Sequence, residues 1–104
     1  MPKELDQFDI SGQSVKNAET GKMFGHPVYK VKGKAFTCFF HKDMVFKLDP
    51  KNLEKALALK GSQLFDPSGK KRFMKEWVQV KYSHKNEWPK LSNAAAKYVL
   101  SLLK

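Results

Sequence analysis

Several absences narrow the reading of this chain before any motif is sought. Cysteine occurs once, at Cys38, so no disulfide can close within the chain. That thiol sits in the apolar run Phe36–Phe40, where a buried, inert cysteine is the expectation. The lack of a disulfide framework suits a reducing cytoplasm. Arginine also occurs once, at Arg72, beside 19 lysines. Bidentate guanine contacts favour arginine, whereas lysine supplies point-charge attraction to phosphate, so a lysine-rich surface argues against sequence-specific reading of DNA. Apolar runs are short, as in Ala94–Ala96 and Tyr98–Leu100, and none approaches the roughly 20 residues of a membrane span. The N-terminus carries Glu4, Asp6 and Asp9. A secretory signal would be cationic and then apolar, and a transit peptide would be poor in acids. The expectation is a cytoplasmic protein with no membrane partner. There is no internal repeat and no low-complexity tract.

What is present is enough for one domain: 104 residues, 41% apolar, with eight phenylalanines to fill a core. The formal net charge is +10. It is uneven. Residues 1–20 hold two lysines against four acids, whereas residues 70–104 hold nine basic residues against two acids. Such a field attracts nucleic acid, an anionic membrane or an acidic protein.

Residues 1–21 read as a polar N-terminal segment with scattered Leu5, Phe8, Ile10 and Val15, and a short helix is expected around Ser14–Glu19. Residues 22–104 read as one domain. Val28–Lys32 alternates, and Lys32-Gly33-Lys34 makes a tight turn. In Ala35–His41, simple alternation puts Phe36, Cys38 and Phe40 on one face and Thr37 and Phe39 on the other. Met44–Leu48 follows after Lys42-Asp43, completing a three-stranded meander. Asp49-Pro50 opens a helix with Leu53, Ala56 and Leu57 on one face, closed by Gly61. Leu64-Phe65 is a short strand, Asp66-Pro67-Ser68-Gly69 a turn, and Trp77–Tyr82 an alternating strand. From Pro89, Leu91, Ala94, Ala95, Tyr98, Val99, Leu102 and Leu103 form one helical stripe. The fold class is therefore α+β: an antiparallel sheet of about five strands (a three-strand meander, a helix, two more strands) with a C-terminal helix packed on it.

Chemistry-bearing motifs are sparse. His26, His41 and His84 show no metal-ligand spacing with Cys38. The six glycines compose neither a dinucleotide fingerprint nor a P-loop. Ser68 lies in a turn sequence, not a nucleophile elbow, and the carboxylates are scattered. No catalytic, cofactor-binding or metal-ligating residue is assigned, and an enzyme is not expected. The best functional cluster is Lys70, Lys71, Arg72 and Lys75, with Lys81 and Lys85 downstream, as a nucleic-acid-binding set. Phe73 and Trp77 lie among these cations. Aromatics so placed can stack bases while lysines hold phosphates, although both fit the core better.

Met23-Phe24-Gly25, Gly33-Lys34-Ala35-Phe36 and Phe46-Lys47-Leu48, then Gly61, Phe65 and Arg72-Phe73-Met74 leading into Trp77–Val80, occur in an order that resembles the N-terminal domain of the TfoX/Sxy competence regulators. The strand-rich tail with Trp77 is also similar to the MmcQ/YjbR proteins. The likeness covers roughly residues 22–82. It implies a curved antiparallel sheet, a helix between its third and fourth strands, a terminal helix, and a regulatory or binding role without catalytic residues. The expected function is thus a stand-alone, non-enzymatic binding module in regulation, touching nucleic acid through a lysine-rich face. The alternative is a protein-interaction module, either a homodimer or an adaptor for an acidic partner. A small-ligand or enzymatic role ranks third.

Overall fold

The computed structural model describes residues 3–23, 25–66 and 74–103. Its central hairpins are set by their turns. Lys32 and Gly33 both take positive φ, 50° and 79°. That two-residue geometry matches strand twist, and glycine adopts it without steric cost, so it joins β2 (His26–Val31) to β3 (Lys34–Phe40). His41 and Lys42 repeat the geometry at 48° and 67°, with no glycine, and lead into β4 (Asp43–Lys47). Helix α2 (Pro50–Leu57) begins where proline needs no N–H donor, and the Leu53 N–H donates to the Asp49 carbonyl at 2.8 Å. It ends at Leu57, short of Gly61.

Among the described residues the sheet has six strands, not five. The additional strand is β1 (Glu19–Met23), which extends the meander to four. Its sequence has no apolar alternation. It forms because it pairs along β2, from Glu19 opposite Lys30 to Met23 opposite His26. This corrects the helix expected around Ser14–Glu19. That stretch is a turn, with Asn17 at φ 66°, followed by the start of β1. The N-terminal helix lies earlier, as α1 (Lys3–Gln13). After α2 come β5 (Gln63–Phe65) and β6 (Met74–Val80), giving the order β1-β2-β3-β4-β6-β5 with every pair antiparallel. A short 3-10 segment, Tyr82–Glu87, feeds α3 (Trp88–Ser101).

The first face of the sheet carries Tyr29, Val31, Phe36, Met44, Phe46, Val78 and Val80. It packs on Phe8 of α1, Ala56 of α2 and the Trp88, Leu91, Ala95, Ala96 and Val99 stripe of α3. The second face holds Val28, Cys38, Phe40, Val45, Phe65 and Trp77. Simple alternation in β3 fails at one residue. Between Tyr29 and Lys30 the register steps from Thr37 to Ala35, so Phe36 is the extra residue of a β-bulge. The bulge sends Phe36 to the helical side and leaves Cys38 and Phe40 on the other. Thr37, also buried, donates its hydroxyl to the Val45 carbonyl at 2.6 Å.

Helix α1 docks closely. Phe8 is buried against Tyr29 and Phe39, with ring centroids 5.3 and 5.4 Å away. A Cβ on Gly12 would lie 2.3 Å from the Tyr29 ring, so only glycine permits this approach. The Tyr29 hydroxyl then donates to Asp9 at 3.0 Å.

Candidate nucleic-acid interface

The site residues expected from sequence fall in three places. Lys70, Lys71 and Arg72 lie outside the described residues. Lys75 is exposed near the start of β6. Lys81 and Lys85 lie past the other end of that strand, and six residues of extended chain separate Lys75 from Lys81 by about 20 Å. Lys75 is therefore not part of one patch with Lys81 and Lys85. Trp77 is 8% exposed and belongs to the core of the second face, so it is not a free stacking platform.

Lys81 and Lys85 meet two partners the sequence did not single out. Val80 ends β6 in the core, and the chain turns into the 3-10 segment there. This turn half-exposes Tyr82, whose ring packs edge-on against buried Trp88 at 5.6 Å. The Lys85 ammonium sits 5.2 Å from the Tyr82 ring centroid, and the Lys3 ammonium of α1 sits 5.7 Å from it. Both are held by the ring's negative face. The stem of Lys81 runs beside Gly61, and the His84 Nε2 lies 2.7 Å from the Lys60 carbonyl, tying the end of α2 to this corner. The corner thus draws cations from α1 and from the segment after β6, with the backbone that follows α2 tied to it.

Electrostatically these lysines are not equivalent. Lys81 lies 3.6 Å from buried Asp43, which also accepts a 2.8 Å hydrogen bond from Gln79. Its charge is partly offset. Lys3 and Lys85 lie near an aromatic ring, and neither comes within 4 Å of a carboxylate among the described residues. Among the described residues only Lys47 and Lys81 come within 4 Å of a carboxylate, so most of the positive charge stays available to external anions. The Tyr82 ring, half-buried and approached by both ammonium groups, is not an open stacking surface.

A second feature bears on enzymatic readings. A cleft of about 460 Å³ opens between α2 and α3, lined by Asp49, Asn52, Ala94, Lys97, Tyr98 and Ser101. Four of its polar side chains, those of Asp49, Asn52, Tyr98 and Ser101, bond to one another or to the cleft edge. Asn52 donates to Asp49 at 2.8 Å, Ser101 to the Tyr98 carbonyl at 2.6 Å, and the Tyr98 hydroxyl to Glu76. The Asn52 hydrogen bond holds the Asp49 carboxyl below its usual range, and the Glu76 hydrogen bond holds the Tyr98 hydroxyl above its own. On the second face, His26 and His41 flank Phe40, with ring centroids 6.4 Å apart. Among the described residues no group of three His, Cys, Asp or Glu side chains is placed to hold a metal ion. Cys38 is fully buried, and burial pushes its thiol up to about 12.

No helix among the described residues is long and apolar enough to cross a membrane. No family profile, no curated protein and no solved structure matches this chain.

Proposed function

We propose that this protein is a non-enzymatic binding module that holds nucleic-acid phosphates through the lysine corner around Tyr82. The observation that carries this reading is the pair of ammonium groups, Lys3 and Lys85, gathered from two separate elements near one ring, neither within 4 Å of a carboxylate among the described residues. The net charge of +10, most of it unpaired among the described residues, supports it. Lys81 steadies the corner through Asp43, and Lys75, at the far end of β6, lies outside the site. With β1 added, α2 falls between the fourth and fifth strands rather than the third and fourth that the resemblance implied, while the terminal α3 is as implied; kinship to the stand-alone TfoX N-terminal-like proteins and a regulatory role are part of this proposal.

Fluorescence anisotropy with labelled duplex and single-stranded DNA tests this. Binding tighter than about micromolar at physiological salt, above the usual non-specific range, is the expected result. Loss of all binding by about 0.15 M salt would reduce the lysines to a solvated surface. Self-association is the second reading, favoured by the outer edge of β1, a five-residue strand with no neighbour on that side among the described strands. Sedimentation of a monomer at all concentrations would remove it.

A further inference from the structure

Far from the lysine corner, the structure forms an opening of a different character. Where β3 begins and β4 ends, a cavity of about 350 Å³ is lined by Met23, Ala35, Trp77, Val99, Leu102 and Leu103, with Lys34 and Lys47 as its two cations. That volume is in the range of small-molecule sites, and a mostly apolar wall with few, well-placed polar groups is their usual composition. Met23 and Trp77 come from β1 and β6, with three strands between them in the sheet order. In a flat sheet that separation would be about 19 Å, so the shared cavity reflects a sheet that curls on its second face. Leu102 and Leu103 remain 51% and 40% exposed, leaving apolar wall in contact with water. Lys34 is exposed, and Lys47 is only loosely matched, 4.0 Å from Glu76.

We infer that this cavity takes a free, single-chain amphiphile with an anionic head, of the medium-chain fatty-acid class. The apolar chain would lie along Trp77, Ala35 and Leu102, and the carboxylate would sit between Lys34 and Lys47. The two parts of the site are chemically complementary to the two parts of that ligand. A neutral alcohol would satisfy only the wall, a short carboxylate only the lysines, and a cationic amphiphile would oppose the rim.

Decanoate, titrated below its micelle concentration and followed by amide and indole NMR shifts, is the direct test. The expected result is saturable binding, with shifts centred on Lys34, Ala35, Lys47, the Trp77 indole and Leu102. The double variant Lys34→Glu/Lys47→Glu should raise Kd about tenfold or more while melting like the parent, because both side chains reach solvent. Lys3→Glu/Lys85→Glu should leave decanoate binding unchanged. Decanol should bind more weakly, and acetate and decyltrimethylammonium should not bind. Equal affinity for decanol or decyltrimethylammonium, or shifts scattered over the surface, would overturn the assignment. So would binding to anionic phosphatidylglycerol vesicles with none to free decanoate. Ligand-free shifts at Leu100–Leu103 that grow with protein concentration would give the surface to a second copy of the chain instead.

Discussion

The two faces of the sheet are built from similar residues but held by different means. The first face is closed by three helices, and its largest side chains, Phe36, Phe46 and Met44, are fully buried beneath them. No described helix contributes to the core of the second face; only the C-terminal end of α3 reaches its edge, at the cavity beside Trp77. Its side chains pack on one another across a curled sheet, Phe40 edge-on to Phe65 at 5.0 Å, and a cavity opens beside Trp77. The difference teaches that burial alone does not rank these residues. What lies over a side chain, and whether water can fill its place, decides the cost of removing it.

Truncation on each face sharpens that contrast. Phe36→Ala should cost about 3–5 kcal/mol in urea unfolding, because the bulge locks its space under α3. Trp77→Ala should cost less, about 2–3 kcal/mol, because its space joins a cavity already open to solvent. Equal losses would erase the distinction between the faces.

A subtler probe of the second face is pH. The unfolded Cys38 thiol ionises from about pH 8.5, whereas the folded one stays protonated to about 12. The unfolded state therefore sheds the proton first, and stability falls as pH rises through that window. Relative to Cys38→Ala, the parent should lose about 2 kcal/mol between pH 8.5 and 10. Parallel profiles would show that Cys38 meets water in the native state.

On the first face, Gly12→Ala should invert a familiar sign. In an exposed helix that change gains about 1 kcal/mol. Here the new methyl meets the Tyr29 ring, and a loss of about 1–2 kcal/mol is expected by thermal unfolding. A gain would show that α1 docks more loosely. The smallest effect belongs to the hairpin joining β3 to β4. His41→Asn/Lys42→Gly should gain about 0.5–1 kcal/mol by placing turn-favoured residues at positive φ, and an unchanged midpoint would argue against the turn geometry.

The same contrast explains what the sequence made legible. The alternation of β2, β4 and β6 and the stripe of α3 were readable because their apolar residues repeat at the period of the element that buries them. Strand β1 was not, since Glu19–Met23 has no apolar rhythm and exists through its pairing with β2. Helix α1 was hidden because its contact is one large residue, Phe8, with Ser11 and Gly12, and small residues carry little periodic signal. The bulge at Phe36 depends on cross-strand register, which alternation cannot encode. At the interface, the lysines of the basic tail could be counted, but not sorted. Lys81 finds a buried carboxylate from a distant hairpin, Lys75 lies at the far end of the strand, and Lys3 joins from an N-terminal stretch that is acidic overall. Tyr82, at the end of an alternating run, was the available clue.

The central claim is that the Tyr82 corner, and not the total charge, binds nucleic acid. Its most direct test is the salt dependence of DNA anisotropy for Lys3→Glu/Lys85→Glu set beside Lys75→Glu, with the parent as reference. The account predicts that the corner variant weakens binding about tenfold or more and lowers the slope of log K against log salt by about two, while Lys75→Glu changes both much less. Equal losses from the two variants would contradict it and return the binding to a diffuse positive field.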